Sequence, residues 1–362
     1  MQKGIGKMKA KMVFRKRFTI KVLIVIVSLV AVTHLLVPQL ASERGSNSVL
    51  PSSLIDPDAH RELQQQQATD ERQKVDSEIT LVPEMVQNTT LLIIINTIPS
   101  HFERRDVLRK TWAKQSHRKF PANHTNTSDL LSDSDVTVSI SYFFMLGFDG
   151  YSSIDDSVKR ESIVHKDILR VNLIETYRSM VNKIILAFEW VTTLDMKPHF
   201  VVKADHDVYV KIPELEEWSN TFSASFPSRF YAGYVERNAA VQRQFKSPWY
   251  VSRKHFNQET YPPYCLGPFY VFSWNFFLEL VNATKTVKPF PVEDAYMAVV
   301  AQKLGVEPFN TGTELFNRNR ILNRIVLRTP EFKLKIPPGI VLGDSLSNAA
   351  IMRIDRLYKQ AM

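Results

Sequence analysis

Short apolar runs that alternate with helical patterns dominate the chain after residue 90. Leu91–Ile95 is an unbroken aliphatic run, which is typical of a strand buried on both faces. The segments that follow are predicted as a helix over Glu103–Lys114, a strand over Val136–Leu146, an amphipathic helix over Thr176–Thr192 and a strand over Phe200–Lys203. Strands that alternate with helices predict an α/β domain with a mainly parallel central sheet.

A long apolar segment lies near the N-terminus, and no charged residue occurs from Val22 to Ser42. With Phe18–Ile20 it supplies roughly 20 apolar positions, enough to cross the hydrocarbon core of a bilayer. Basic residues precede it, so the positive-inside rule places the N-terminus in the cytoplasm and the rest in the lumen. We predict a cytoplasmic tail over 1–17 and a transmembrane signal anchor over 18–37. A cleaved signal peptide is the less favoured alternative, because no clear small-residue cleavage site ends the segment.

The net charge of +9 raises the question of nucleic-acid binding. Eight Lys and Arg residues precede Glu43, the first acidic residue, and they account for nearly all of the excess. The basic charge therefore belongs to the predicted tail, and no nucleic-acid partner is expected.

The next segment is rich in Ser, Gln, Asp and Glu and contains the run Gln64–Gln67. Such a composition buries too little apolar surface to offset its ordering entropy. We predict a flexible lumenal stem over 38–88 and a folded domain over 89–362. Cys265 is the single cysteine, which excludes an intrachain disulfide and favours a buried, inert thiol. Sequons for N-glycosylation at Asn88, Asn123, Asn126 and Asn282 agree with a lumenal location.

Two acidic pairs are candidates for chemistry. In Lys203–Tyr209, Asp205 and Asp207 follow an apolar strand, where α/β sheets bind ligands and where carboxylates suit a hard divalent ion. Glu293 and Asp294 follow Pro289–Val292 and precede a possible helix, where a carboxylate can serve as a general base. Taken alone, the first pair is more typical of an acidic turn that closes a strand, and the second is more typical of a helix cap.

A third candidate is the segment Tyr261–Tyr270, YPPYCLGPFY. Its prolines stiffen the backbone, Gly267 permits close approach, and its aromatic rings offer flat faces for stacking on sugars. A rigid loop that crosses the core explains the same pattern equally well.

In order and spacing, these segments resemble the β-1,3-galactosyltransferase/β-1,3-N-acetylglucosaminyltransferase family of Golgi type II enzymes. The resemblance covers about Leu91–Pro308. Its blocks are LLIIINTIPS with RRDVLRKTW, YFFMLG, ESIVHKDIL with ETY, KADHDVYV, YPPYCLGPFYVFS, and VEDAYMAVVAQKLGVEP.

The resemblance implies a GT-A nucleotide-sugar fold and inverting transfer from a UDP-sugar with Mn²⁺ or another divalent cation. Asp207 would be the metal ligand, and Asp205 would hold the ribose or sugar of the donor. Asp294, beside Glu293, would be the catalytic base. The resemblance also places Arg105, Arg109 and Lys203 in the binding of the nucleotide donor.

The chain departs from the family in three respects. Cys265 lacks the partners that the family commonly has, Ala298 stands where the family often has Gly, and the segment after Pro308 resembles the family weakly. UDP-galactose is the expected donor, with UDP-N-acetylglucosamine and UDP-N-acetylgalactosamine as alternatives, and the acceptor is a glycan on glycolipid or glycoprotein. A catalytically silent Golgi resident and a cell-surface receptor with an inverted anchor are alternative functions.

Overall fold

A computed structural model describes residues 79–86, 88–115, 119–120, 138–223 and 228–362. These residues belong to one compact unit, Lys74–Met362. None of the helices in these ranges is long and apolar enough to cross a membrane. The predicted tail and anchor, and the sequons at Asn123 and Asn126, lie outside the described residues.

The strands of the described chain form two sheets. They are β1 (Ile79–Leu81), β2 (Leu91–Asn96), β3 (Lys119–Phe120), β4 (Val138–Phe148), β5 (Ile168–Ile174), β6 (Phe200–Asp205), β7 (Tyr209–Val210), β8 (Tyr231–Glu236), β9 (Tyr264–Ser273), β10 (Phe309–Asn310), β11 (Phe316–Asn317) and β12 (Val341–Leu342). The large sheet has the order β1-β5-β4-β2-β6-β9-β8-β10, with β3 paired to β4, and the small sheet has the order β11-β12-β7.

The helices pack around these sheets. They are α1 (Phe102–Lys110), α2 (Ser152–His165), α3 (Met180–Thr192), α4 (Ile212–Ser223), α5 (Trp274–Thr284), α6 (Glu293–Lys303), α7 (Gly312–Leu315), α8 (Leu322–Arg328) and α9 (Asn348–Ala361), and two 3₁₀ turns cover Trp112–Gln115 and Glu331–Lys333.

The four central strands β5, β4, β2 and β6 are parallel, as predicted. β9 is antiparallel to both β6 and β8, and β1 is antiparallel to β5. The α/β class is therefore confirmed, and the sheet is mixed, because antiparallel pairs flank the parallel centre.

The hydrophobic core lies on both faces of the large sheet. Every residue of β2 is buried, and successive residues contact different clusters, since Ile93 belongs to one and Ile94 to the other. This alternation is the geometry of a strand covered on both faces, as the unbroken run Leu91–Ile95 predicts.

Several predicted boundaries differ from the structure. α3 begins at Met180 rather than Thr176, because Thr176 and Ser179 exchange side-chain to backbone hydrogen bonds that form a turn. α1 ends at Lys110 rather than Lys114, and the hydroxyl of Thr111 bonds to the carbonyl of Val107. β1 lies within the predicted stem, where Thr80 and Arg170 fix it to β5.

Candidate active site

The site lies where two parallel strands end side by side. Asn96, the last residue of β2, is in register with Asp205, the last residue of β6. The amide of Asn96 donates to Oδ1 of Asp205 over 3.1 Å. Asp205 therefore lies at the carboxyl edge of the sheet, as the strand prediction requires.

Lys203 joins this edge to the second acidic pair. Its side chain is 1% exposed, and Nζ lies 2.6 Å from Asp205 Oδ1, 2.5 Å from the carbonyl oxygen of Gly267 and 3.9 Å from Glu293 Oε2. Burial lowers the pKa of Lys203, and Asp205 and Glu293 raise it by more, so the ammonium ion stays protonated. One carboxylate of each acidic pair, Asp205 and Glu293, which are 88 residues apart in sequence, thus lies beside one buried cation.

Glu293 and Asp294 begin α6 and have different environments. Glu293 is 2% exposed and accepts a hydrogen bond from the Tyr270 hydroxyl, and burial raises its pKa to about 7 although Lys203 opposes the shift. Asp294 is partly exposed and accepts from the backbone N–H of Gly267 at 3.0 Å. Burial raises the pKa of Asp294 above its usual range, although bonds from Gly267 and Ala295 oppose this shift. Asp294 is therefore the carboxylate of this pair that a bound substrate can reach.

Asp207 is the predicted metal ligand, and its surroundings suit a cation. Oδ2 accepts from the backbone N–H of Ser345 at 3.1 Å, whereas buried Oδ1 has no partner in the described part of the chain. Burial and the charge of Asp205 raise the pKa of Asp207 to about 6, a shift that a bound cation would reverse.

In the described ranges, no three His, Cys, Asp or Glu side chains come together as a metal cage. A divalent ion that binds diphosphate needs only one or two carboxylates, since phosphate oxygens and waters supply the remaining ligands. The donor set at Asp207 fits such an ion, with Asp205 on the same edge.

Arg105 and Arg109 lie on α1, but their donors contact the protein. Arg105 is fully buried and bonds to Glu161 and to the carbonyl oxygens of Ile98 and Pro99. Arg109 bonds to Glu161 at 2.7 Å and forms two bonds to Asp167. Structural contacts account for both arginines, and their predicted contact with the nucleotide stays a prediction.

The segment around Cys265 is largely core. The thiol is free and fully buried, as predicted, and burial raises its pKa well above the usual range, which is typical of an unreactive cysteine. Tyr261 is 6% exposed and stacks on Phe290 at 5.9 Å. Tyr264 is partly exposed, so a substrate can reach it. Burial and the nearby charge of Asp294 raise the pKa of its hydroxyl.

Other residues near the site were missed from the sequence. Asn96 directly follows the run that forms β2, and this position alone could have identified it. Tyr177 is 41% exposed. Its pKa is raised first by burial and then by the charge of Asp294, which places it near this carboxylate. Ser345 contacts Asp207 across 138 positions of sequence, and no local pattern marks it.

The comparisons with known proteins identify the family of the chain. The family model described as Galactosyltransferase matches residues 103–311, more than half of the chain. The chain therefore belongs to the galactosyltransferase family, and the predicted resemblance is confirmed.

Three curated relatives illustrate the family. Human beta-1,3-galactosyltransferase 1 is 27% identical over 61% of this chain and 63% of its own length. Mouse lactosylceramide 1,3-N-acetyl-beta-D-glucosaminyltransferase is 27% identical over 61% of this chain and 56% of its own length. Mouse N-acetyllactosaminide beta-1,3-N-acetylglucosaminyltransferase 2 is 30% identical over 60% of this chain and 51% of its own length. The chain thus matches less than two thirds of the length of each of these relatives.

Proposed function

We propose that this protein is an inverting glycosyltransferase of GT-A type that transfers a hexose from a UDP-sugar to a glycan in β-1,3 linkage. One observation carries the proposal: the reachable carboxylate Asp294 and the carboxyl edge at Asp205 are held together by buried Lys203. The family match and the names of the relatives support the reaction class.

The chemistry needs one base and no protein nucleophile. Asp294 takes the proton of the acceptor hydroxyl while that oxygen forms a bond to the anomeric carbon of the donor. The bond from this carbon to the β-phosphate oxygen breaks, and UDP leaves with the electron pair. Because the pKa of Asp294 is raised, its carboxylate is a stronger base than an ordinary aspartate.

A divalent cation, Mn²⁺ in the first instance, would be held by Asp207 and by the donor diphosphate. When bound, it supplies Lewis-acid stabilisation of the charge on departing UDP. Asp205 holds the ribose or sugar side of the donor, and its position is fixed by Asn96 and Lys203.

UDP-galactose is the proposed donor, with UDP-N-acetylglucosamine or UDP-N-acetylgalactosamine as the alternative. The acceptor is a glycan on glycolipid or glycoprotein, in keeping with the substrates named for the relatives.

We further propose a single-pass type II protein of the Golgi membrane, with the domain in the lumen. Protease protection in sealed Golgi vesicles tests this orientation, and digestion of the domain in intact vesicles would contradict it.

The reaction is tested by measuring UDP release from the full chain, purified in detergent, with the three UDP-sugars and a panel of β-glycoside acceptors. We expect release with one donor that requires Mn²⁺. Asp207→Ala and Asp294→Ala should each lower kcat by roughly 10²- to 10⁴-fold. Asp294→Ala should leave the Kd for UDP unchanged, because Asp294 acts on the acceptor.

The assay also separates the alternatives. Binding of UDP without release of UDP from any donor and acceptor would favour a catalytically silent Golgi resident. Absence of both UDP binding and release in the folded protein would contradict the transferase function.

A further inference from the structure

Buried polar atoms without partners gather around the connection from β2 to α1. Within the described ranges, these atoms are Asn96 Oδ1, Thr97 Oγ1, His101 Nδ1, Arg104 Nη1 and Asp207 Oδ1. Nearly all buried polar groups in folded proteins are hydrogen-bonded, so several unpaired ones in one place call for a ligand.

Contacts and charges show that these atoms belong to one place. The backbone N–H of His206 donates to the carbonyl oxygen of Asn96 at 3.2 Å, and the rings of His206 and His101 meet edge to face at 4.9 Å. Thr97 follows Asn96, and Asp207 follows His206. Arg104 lies within electrostatic reach of both His101 and Asp207.

Arg104 differs from the two neighbouring arginines of α1. Arg105 and Arg109 are bound to the carboxylates of Glu161 and Asp167, whereas the buried Nη1 of Arg104 has no hydrogen-bond partner in the described part of the chain. Burial lowers the pKa of Arg104, and Asp207 only partly offsets this. Arg104 and Asp207 thus present opposite charges to the same space without bonding to each other.

A diphosphate matches this arrangement. It accepts hydrogen bonds from a guanidinium group, and its other oxygens can share a cation with a carboxylate. Arg104 also lies in the first turn of α1, a nine-residue helix whose N-terminal end attracts anions.

We propose that Arg104 binds the diphosphate of the nucleoside diphosphate donor, opposite Asp207, with His101 and Thr97 lining the same subsite. The inference rests on the proposed function, since it assigns a further binding residue to the donor. It adds Arg104 to the arginines considered for the donor, and the contact of Arg105 and Arg109 with the nucleotide stays a prediction.

The test compares Arg104→Gln with the wild type by calorimetric titration of the full chain with UDP and with UMP, in buffer containing Mn²⁺. We expect Arg104→Gln to weaken UDP binding roughly tenfold or more, and UMP binding less, because UMP lacks the second phosphate. Lys110→Gln is the matched control, since it removes one exposed positive charge from the same helix and should leave both affinities unchanged.

Thermal unfolding without ligand separates a binding role from a structural one. Because Arg104 is a partly buried cation without a partner, Arg104→Gln should keep or raise the Tm of the ligand-free protein and reduce its increase with UDP. Arg104→Lys, which keeps the charge but loses the planar fork, should bind UDP with intermediate affinity.

A lower Tm of ligand-free Arg104→Gln, or equal UDP affinity of Arg104→Gln and wild type, would overturn this inference and leave the proposed function standing. Failure of the wild type to bind UDP would overturn both.

Discussion

Lys203 is the residue on which the two carboxylate pairs depend. Its ammonium ion is 1% exposed, and its closest contacts are Asp205 and the Gly267 carbonyl oxygen. The N–H of Gly267 donates to Asp294, so the backbone of this one residue connects the cation to the proposed base. The predicted contact of Lys203 with the nucleotide donor stays a prediction, and its contacts with Asp205 and Gly267 suit a positioning role.

Lys203→Met should be strongly destabilising, because it leaves Asp205 and Glu293 without their buried counter-charge. Breaking a buried ion pair by removing one partner costs about 3–5 kcal/mol. The measurement is the free energy of unfolding in urea. Lys159→Met removes an exposed lysine that is paired with Asp156 and should change it by less than about 1 kcal/mol. Similar values for the two variants would contradict the central role of Lys203.

The sequence predicted where the candidate residues lie in the fold better than it predicted what each of them contacts. Asp205 could be placed because it ends an apolar run, and the run fixes the edge of the sheet. The sequence could not show that Arg104 rather than Arg105 is the unpaired cation. The partners of Arg105 and Arg109, Glu161 and Asp167, lie more than 50 positions away.

Helices α1 and α2 are joined by a buried group of charges. Glu161 of α2 binds Arg105 and Arg109 of α1 at 2.6 and 2.7 Å. Burial raises the pKa of Glu161, and the two arginines lower it by more, so the pKa lies below its usual range. The charges therefore stabilise the position of α1, which carries Arg104 towards the site.

Glu161→Gln tests whether these arginines are structural. The carboxylate is buried and paired twice, so we expect the free energy of unfolding to fall by roughly 3 kcal/mol. UDP affinity of the folded fraction should change by less than about threefold. Asp156→Asn on the exposed side of α2 is the control. A large loss of UDP affinity with unchanged stability would instead place Arg105 and Arg109 at the nucleotide.

The C-terminal segment, which resembles the family weakly, completes the site. It lies beyond residue 311, where the family model ends, and contributes β12, which pairs with β7. The loop after β12 bonds to Asp207 through the N–H groups of Ser345 and Leu346. This role could not be predicted from the sequence, because a backbone donor from a distant loop has no residue signature.

The fold as a whole was predicted where periodicity was strong. β2, β4 and β6 lie where apolar runs placed them, whereas β9, the antiparallel neighbour of β6, was not foreseen as a strand. β9 contains Gly267 and Pro268, and these residue types predict a loop rather than a strand. The segment is a strand because it pairs with β6 on one side and β8 on the other.

The folded domain raises the pKa of several carboxyl groups towards neutral pH, because it buries them away from water. Burial raises the pKa of Glu293 to about 7 and that of Glu216 to about 7. Burial has the opposite effect on the pKa of a histidine, because its charged form is the protonated one, and it lowers the pKa of His101 to about 4. The unfolded chain therefore binds more protons at His101 below pH 6.5, and the folded chain binds more at Glu293 and Glu216 between about pH 4.5 and 7.

The stability of the domain should therefore fall as pH rises from about 7 to 8, where an unfolded histidine with a pKa of about 6.5 is mostly neutral and offsets little of the loss. A carboxyl with a raised pKa stabilises the folded state below its unfolded pKa, and this contribution is lost as pH rises through the folded pKa. Glu293→Gln isolates this effect, because the amide cannot ionise but can still accept from the Tyr270 hydroxyl. Relative to wild type, its free energy of unfolding should increase by about 3 kcal/mol between pH 4.5 and 8. Urea unfolding at both pH values measures the change, with Glu279→Gln on the exposed surface as the control. A difference that is independent of pH would mean that Glu293 stays ionised beside Lys203 throughout.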